Sequence, residues 1–264
     1  MERVRVPEES LRREPGPRRQ LRFVSAALSH PGQARPNNED FVFAGENLVA
    51  VADGVGGSVH GEIASEVAVN AIAYLEDAGY TKDPHQEMAD AAGRANEQLL
   101  RAMEEDRSRH GMATTLTALR LDGPSLVVLH VGDSRAYRLR GGEFRPLTHD
   151  DSLVQGLVDI GAITEDEARR HPARSVVLQA LNGEPVHPHV TVLDAAVGDR
   201  VLVCSDGLTD YVDESTIAEV VAVQPSPGGC CEELVRATLA AGAPDNVSCV
   251  VADVALVAPT PDGR

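Results

Sequence analysis

Three apolar, β-branched runs in this chain end against an Asp, and a fourth starts from one. Leu48–Ala52 leads into Asp53-Gly54, Leu126–Val131 into Gly132-Asp133, and Val201–Cys204 into Ser205-Asp206. Pro244-Asp245-Asn246 opens onto Val247–Val251. Such runs read as buried strands. A carboxylate at the rim of a buried strand is costly to desolvate unless a cation meets it. The chain has a single lysine, Lys82, so bound metal ions are the expected cation.

Composition narrows the classes. With 264 residues the chain makes one large domain or two small ones, and at 42% hydrophobic it buries a sizeable core. Aromatics are only 3% and Trp is absent, so that core is aliphatic. A net charge of -17 argues against a nucleic-acid partner. It would also repel a phosphorylated substrate, unless the acids surround divalent cations that invert the local potential. Cys204 and Cys249 lie in apolar runs and read as buried thiols. Cys230 and Cys231 are adjacent, which suits neither a zinc site nor an ordinary disulfide. No apolar stretch is long enough to span a bilayer, and the N-terminus lacks the apolar segment of a secretory signal. A soluble cytoplasmic protein is expected.

Residues 1–20 hold six Arg, four Glu and three Pro without apolar periodicity, and read as a disordered tail. Residues 258–264 read as a second disordered end, which leaves one domain over 21–257. Strands are expected near 22–28, 40–43, 47–52, 114–121, 125–131, 134–140, 190–194, 199–204 and 246–256. A helix starts near Gly61, striped by Ile63, Val67, Ala71 and Leu75, and a second spans about 84–109. Two more fall near 213–223 and 229–241. Tight connections at 121–125 and 140–143 predict hairpins, so antiparallel sheets packed on each other and flanked by helix pairs are expected. Residues 149–187, with short helical pieces and Pro172, read as a flap-like insertion.

The candidate chemistry rests on Asp53, Asp133, Asp206 and Asp245, joined by Glu39 and Asp40. Carboxylates without a matching His/Cys set favour Mg²⁺ or Mn²⁺ over Zn²⁺. Two adjacent ions activate water at neutral pH and clamp an in-line phosphoryl transfer, and Arg35 can fork onto phosphate oxygens. Each signal has a plainer reading. An Asp-Gly after a strand is commonly a turn, Asp133 can cap a turn and pair with Arg135, and Arg35 can be a surface residue. His130 reads as a satisfied core residue; His187 and His189 lack further zinc ligands; Thr114 and Thr115 read as sheet support. The glycines at 54–57 fail as a dinucleotide motif, because Val59 stands at the third small position and an acid precedes them. They fit a backbone that turns sharply and presents a carbonyl.

Six segments then carry a resemblance: Arg35–Asp40, Ala52–Gly57, Gly111–Thr115, Gly132–Tyr137, Ser205–Asp210 and Asp245–Ser248. In this order and at these separations they are similar to the motif series of the metal-dependent serine/threonine protein phosphatases, the PPM or type 2C family, bacterial branch. The similarity covers roughly residues 22–256, with 147–182 resembling that branch's flap. It implies an α+β fold, a four-layer α-β-β-α sandwich, with a binuclear Mn²⁺ or Mg²⁺ centre at one end. Asp53 would bridge the two ions, the Gly54 carbonyl would bind one, and Asp206 and Asp245 the other. Glu39 and Asp40 would act directly or through water, and Asp133 with Asp206 would hold a third, weaker ion. Arg35 would bind phosphate and, with Asp53 and Asp206, form the catalytic set. The implied activity is hydrolysis of phosphoserine and phosphothreonine in proteins, by a monomer working beside a cognate Ser/Thr kinase. The rivals are a pseudophosphatase that only binds, and a phosphatase dedicated to one regulatory phosphoprotein of the anti-sigma antagonist type. Three positions depart from the family pattern: Val55 replaces the His of animal members, Asp151 the usual flap His, and Ala113 a Gly.

Overall fold

The computed structural model describes residues 20–55 and 60–257. The assigned tail lies outside the described residues except for Gln20, which already belongs to the first strand; Gly56–Val59 and 258–264 also lie outside. The chain forms two five-stranded sheets. One runs in the order β1 (Gln20–His30), β10 (Val247–Val257), β9 (Arg200–Cys204), β6 (Arg135–Arg140), β7 (Glu143–Pro146). The other runs β2 (Asp40–Ala44), β3 (Leu48–Asp53), β4 (Leu116–Asp122), β5 (Ser125–Val131), β8 (His189–Asp194). Every pairing is antiparallel.

Successive strand side chains point to opposite faces, and here both faces are covered. Val49 and Val51 meet Val201, Val203, Val250 and Ala252 between the sheets. Leu48, Ala50 and Ala52 face α1 (Gly61–Ile72) and α2 (Pro84–Glu105). On the other side, Leu202, Cys204, Cys249 and Val251 face α6 (Glu214–Val223) and α7 (Pro227–Ala240). A strand that feeds two cores has no polar face, which is why these runs are apolar without alternation. The result is the expected four-layer sandwich with three aliphatic cores.

Two expectations shift. The buried residues of α1 are Gly61, Ala64, Ser65, Ala68, Val69, Ala71 and Ile72, so Ala71 of the expected stripe is buried, while Ile63 and Val67 flank the core half-buried. Small residues at the contact let the helix lie close to β2 and β3. Leu75 does pack in this core, from a 3-10 turn at Ala73–Glu76 rather than from the helix. Strand β7 completes the hairpin expected at 140–143, although no strand was placed there: Glu143–Pro146 has one large apolar side chain, Phe144, which stacks on Tyr137 at 4.8 Å between centroids. The insertion carries α3 (Leu153–Asp159) and α4 (Glu165–Ala168), the latter started by a capping box between Thr164 and Glu167.

Glu76 closes the end of the helical layer remote from Asp53. Its carboxylate accepts the backbone N–H groups of Glu46 (2.7 Å), Asn47 (3.0 Å) and Leu48 (2.8 Å) at the β2–β3 hairpin. Three donors on one ionised acceptor are charge-assisted bonds. Glu76→Ala is expected to lower stability by about 2–3 kcal/mol in urea denaturation. Divalent-metal binding should be unaffected, because the hairpin turn lies at the opposite end of β2 and β3 from Asp40 and Asp53.

Candidate metal centre

Strand direction gathers the acids. Asp40 opens β2 and Asp53 closes β3, directly opposite each other in the ladder. Asp133 sits in the turn from β5 to β6, Asp206 starts the short helix α5 (Asp206–Thr209) just past β9, and Asp245 precedes β10. In antiparallel sheets these ends fall on one rim. There they line a cleft of about 130 Å³, with Arg35, Glu39, Asp53, Gly54, Asp133, Asp206 and Asp245 all on its wall. Asp40 is the exception among the expected residues. It lies behind the wall, 8% exposed, where Ser205 Oγ donates to its Oδ2 at 3.0 Å and its Oδ1 has no partner.

Burial and mutual repulsion make these carboxyls reluctant to ionise. Burial first, then the charges of Asp40, Asp206 and Asp133, hold the Asp53 carboxyl well above the ordinary range. Asp206 is raised in the same way, by burial and then by Asp133, Asp210, Asp245 and Asp40. Burial chiefly pushes Asp40 to about 6 and Asp133 to about 7. Glu39 is also raised, by burial and the nearby Glu62. Arg35 is the only cationic residue on the cleft wall among the described residues, and its Nη2 donates to Asp245 Oδ2 at 2.8 Å. The alternative pairing of Asp133 with Arg135 is not formed. Arg135 instead forks onto Asp150 through Nε (2.9 and 3.0 Å) and Nη2 (2.7 Å), because the planar guanidinium matches that carboxylate.

The donor set fits hard divalent cations: oxygen ligands alone, a buried carboxylate oxygen without a partner, and too little positive charge from the protein. Among the described residues, no group of three or more His, Cys, Asp or Glu side chains is already placed to hold a metal ion.

Local geometry serves the same end. Asn246 Nδ2 donates to the carbonyls of Pro31 (3.0 Å) and Asn37 (2.8 Å), and its Oδ1 accepts from Glu39 N (2.8 Å). This one side chain pins the loop carrying Arg35 and Glu39 against Asp245. Gly54 is required for close approach rather than for a left-handed turn: it has no positive φ, and a Cβ there would lie 2.6 Å from the Gly61 carbonyl carbon. The flap contributes Ser175 and Val177 to the wall, and Arg174 donates to Asp210 (3.1 Å) and the Tyr211 hydroxyl (3.3 Å). Asp151 accepts from Gly132 N (3.0 Å) and Gln179 Nε2 (2.9 Å) and meets His189 Nε2 at 2.9 Å, so it anchors the flap base. His130 is a satisfied core residue, between Thr117 Oγ1 (2.9 Å) and the His149 carbonyl (3.0 Å). Asn246 follows an expected ligand and so had a sequence signal. Ser175 and Val177 had none, since no periodicity marks their segment.

A sandwich that delivers carboxylates from five chain segments to one rim is built to hold hard cations at an open cleft. The chain belongs to the protein phosphatase 2C family, whose model matches residues 29–239. It is 44% identical over 229 residues to the serine/threonine protein phosphatase PstP of Mycobacterium tuberculosis, covering 87% of this chain and 44% of PstP. The chain thus spans less than half the length of that relative. It is 33% identical to protein phosphatase PhpP of Streptococcus pneumoniae, covering 84% of this chain and 93% of PhpP. The crystal structure of the PstP catalytic domain in complex with two manganese ions superposes with a TM-score of 0.83, at 42% identity over 89% of this chain and 99% of that one.

The raised carboxyls make metal-free stability depend on pH. Asp40 (about 6) and Asp133 (about 7) keep protons in the folded state that the unfolded chain, at the ordinary 3.8, releases. Their favourable contribution is complete below that ordinary value and lost as pH rises through about 6 to 7. In EDTA, the thermal midpoint should therefore fall between about pH 5 and about pH 8. Asp133→Asn should flatten the slope, as read by calorimetry.

Proposed function

We propose that this chain hydrolyses phosphoserine and phosphothreonine in proteins, with two Mn²⁺ or Mg²⁺ ions held at the acidic rim. The observation that carries the reading is the single cleft on which Asp53, Asp206 and Asp245 meet without a matching number of protein cations. Of the relatives that match most of the chain, PstP is a serine/threonine protein phosphatase whose catalytic domain is described with two manganese ions, and PhpP is a protein phosphatase. Asp53, the Gly54 carbonyl, Asp206 and Asp245 would hold the pair, with Glu39 and Asp40 beside them and Asp133 with Asp206 for a third, weaker ion. When bound, such ions lend Lewis-acid charge to phosphoryl oxygens and make water nucleophilic at neutral pH.

The protein's own part is positioning and charge. Arg35 stands at the cleft mouth with its side chain 40% exposed, where it can exchange Asp245 for two phosphoryl oxygens. Water oxygen bonds to phosphorus as the ester oxygen leaves, giving a free hydroxyl and inorganic phosphate. Val55 supplies no proton to that oxygen, so the leaving group is not served by a side chain at this position. The intact acid set favours turnover over a binding-only role. A cognate Ser/Thr kinase is the class of enzyme that must install the ester. Among the described residues no helix is long and apolar enough to cross a membrane; a cytoplasmic site of action is part of the proposal.

The test is hydrolysis of p-nitrophenyl phosphate and of a phosphothreonine peptide with Mn²⁺ and with EDTA. Turnover should require the metal. Asp206→Asn should cut it by ~100-fold or more while circular dichroism stays native; turnover like the wild type would refute the ligand assignment. Arg35→Ala should mainly raise KM, and a fall in kcat at unchanged KM would remove its role in substrate binding.

A further inference from the structure

We propose that Thr115 is a positioning residue of the metal centre, its hydroxyl fixing the spacing between Asp53 and the Asp133-Ser134 turn; this rests on the two-ion reading above. The Thr115 hydroxyl accepts the backbone N–H of Asp53 at 3.0 Å. The same oxygen shares a hydrogen bond with Ser134 Oγ at 2.9 Å. Asp53 is the last residue of β3 and Asp133 lies in the turn from β5 to β6, and this hydroxyl bonds to the first and to the neighbour of the second.

The side chain has little freedom to do anything else. Thr115 is 1% exposed and Ser134 is fully buried. Its own N–H donates to the Asp53 carbonyl at 2.9 Å, and Thr114 Oγ1 donates to that carbonyl at 2.9 Å, so Asp53 is gripped on both backbone groups. Its methyl lies over Gly132, whose φ is +108°; a Cβ on Gly132 would come within 2.6 Å of Thr115 Cγ2. That glycine therefore gives room for this threonine as well as for the turn. A residue that served only sheet packing would bury its methyl and would need no hydroxyl. Here the hydroxyl is the part that joins the end of β3 to the Asp133-Ser134 turn, and Thr115 lies on the cleft wall itself. Partners that orient ligands commonly change metal affinity ten- to a hundredfold when removed.

The full chain is compared as wild type, Thr115→Val, Thr115→Ser and Ser134→Ala. Mn²⁺ affinity is read by calorimetry and by electron paramagnetic resonance of free Mn²⁺, and folding by thermal unfolding in EDTA. Thr115→Val keeps the shape and loses the hydroxyl, so it should weaken Mn²⁺ binding by about tenfold or more. Thr115→Ser keeps the hydroxyl and should bind within about twofold of wild type. Ser134→Ala breaks the tie from the other side and should also weaken binding; it decides the matter if Thr115→Val does not fold. A folded Thr115→Val or Ser134→Ala with wild-type affinity overturns the proposal, as does a Thr115→Ser as weak as the Val variant. Wild-type protein that binds no Mn²⁺ overturns the metal-centre reading, and this inference with it.

Discussion

The structure turns on an unfavourable interaction: carboxylates crowded at a low-dielectric rim where the protein offers almost no positive charge. Beyond burial, Asp40, Asp206 and Asp133 raise the pKa of Asp53, and Asp133 and Asp210 raise that of Asp206, while Arg35 is taken by Asp245 and Arg135 by Asp150. A fold does not accumulate such strain by chance, because each buried charge without a partner costs free energy. Divalent cations convert the same arrangement from repulsive to attractive. The chain's overall negative charge then ceases to oppose a phosphorylated substrate.

The sandwich makes that crowding possible. Each central strand spends one face on the inter-sheet core and the other on a helical layer, so apolar burial on both sides supports a polar rim at the strand ends. Antiparallel order brings the end of β3, the start of β2, the end of β9 and the start of β10 to the same edge. The supporting hydrogen bonds are short-range and specific. Asn246 holds the Arg35 loop, the two threonines hold Asp53, and Asp151 holds the flap. Such partners orient ligands before any ion arrives, which lowers the entropy lost on binding.

Much of this was legible along the chain. Unbroken apolar runs meeting Asp marked the central strands and the candidate ligands together, because burial on both faces and a charged terminus leave visible traces. The α1 stripe was less legible: Ala71 is buried as expected, but Ile63 and Val67 lie half-buried at the edge while Ala64, Ser65, Ala68 and Val69 fill the contact. Size at a helix–sheet contact is set by how closely the layers approach, which periodicity does not encode. The sharp turn expected of the glycines is not what constrains Gly54, whose limit is the backbone of Gly61.

Local sequence determined the strands, the aliphatic cores and the presence of acids at strand ends, because these depend on side-chain polarity and on neighbours along the chain. Tertiary structure alone decided which acids share the cleft, that Asp40 stands behind it, and that Arg135 serves Asp150 instead of Asp133. It alone placed Thr115 between the end of β3 at Asp53 and the Asp133-Ser134 turn. The reason is physical: charge coupling and hydrogen bonding act over a few ångströms of space, and residues brought that close by the sheets are separated by tens to hundreds of positions in the chain.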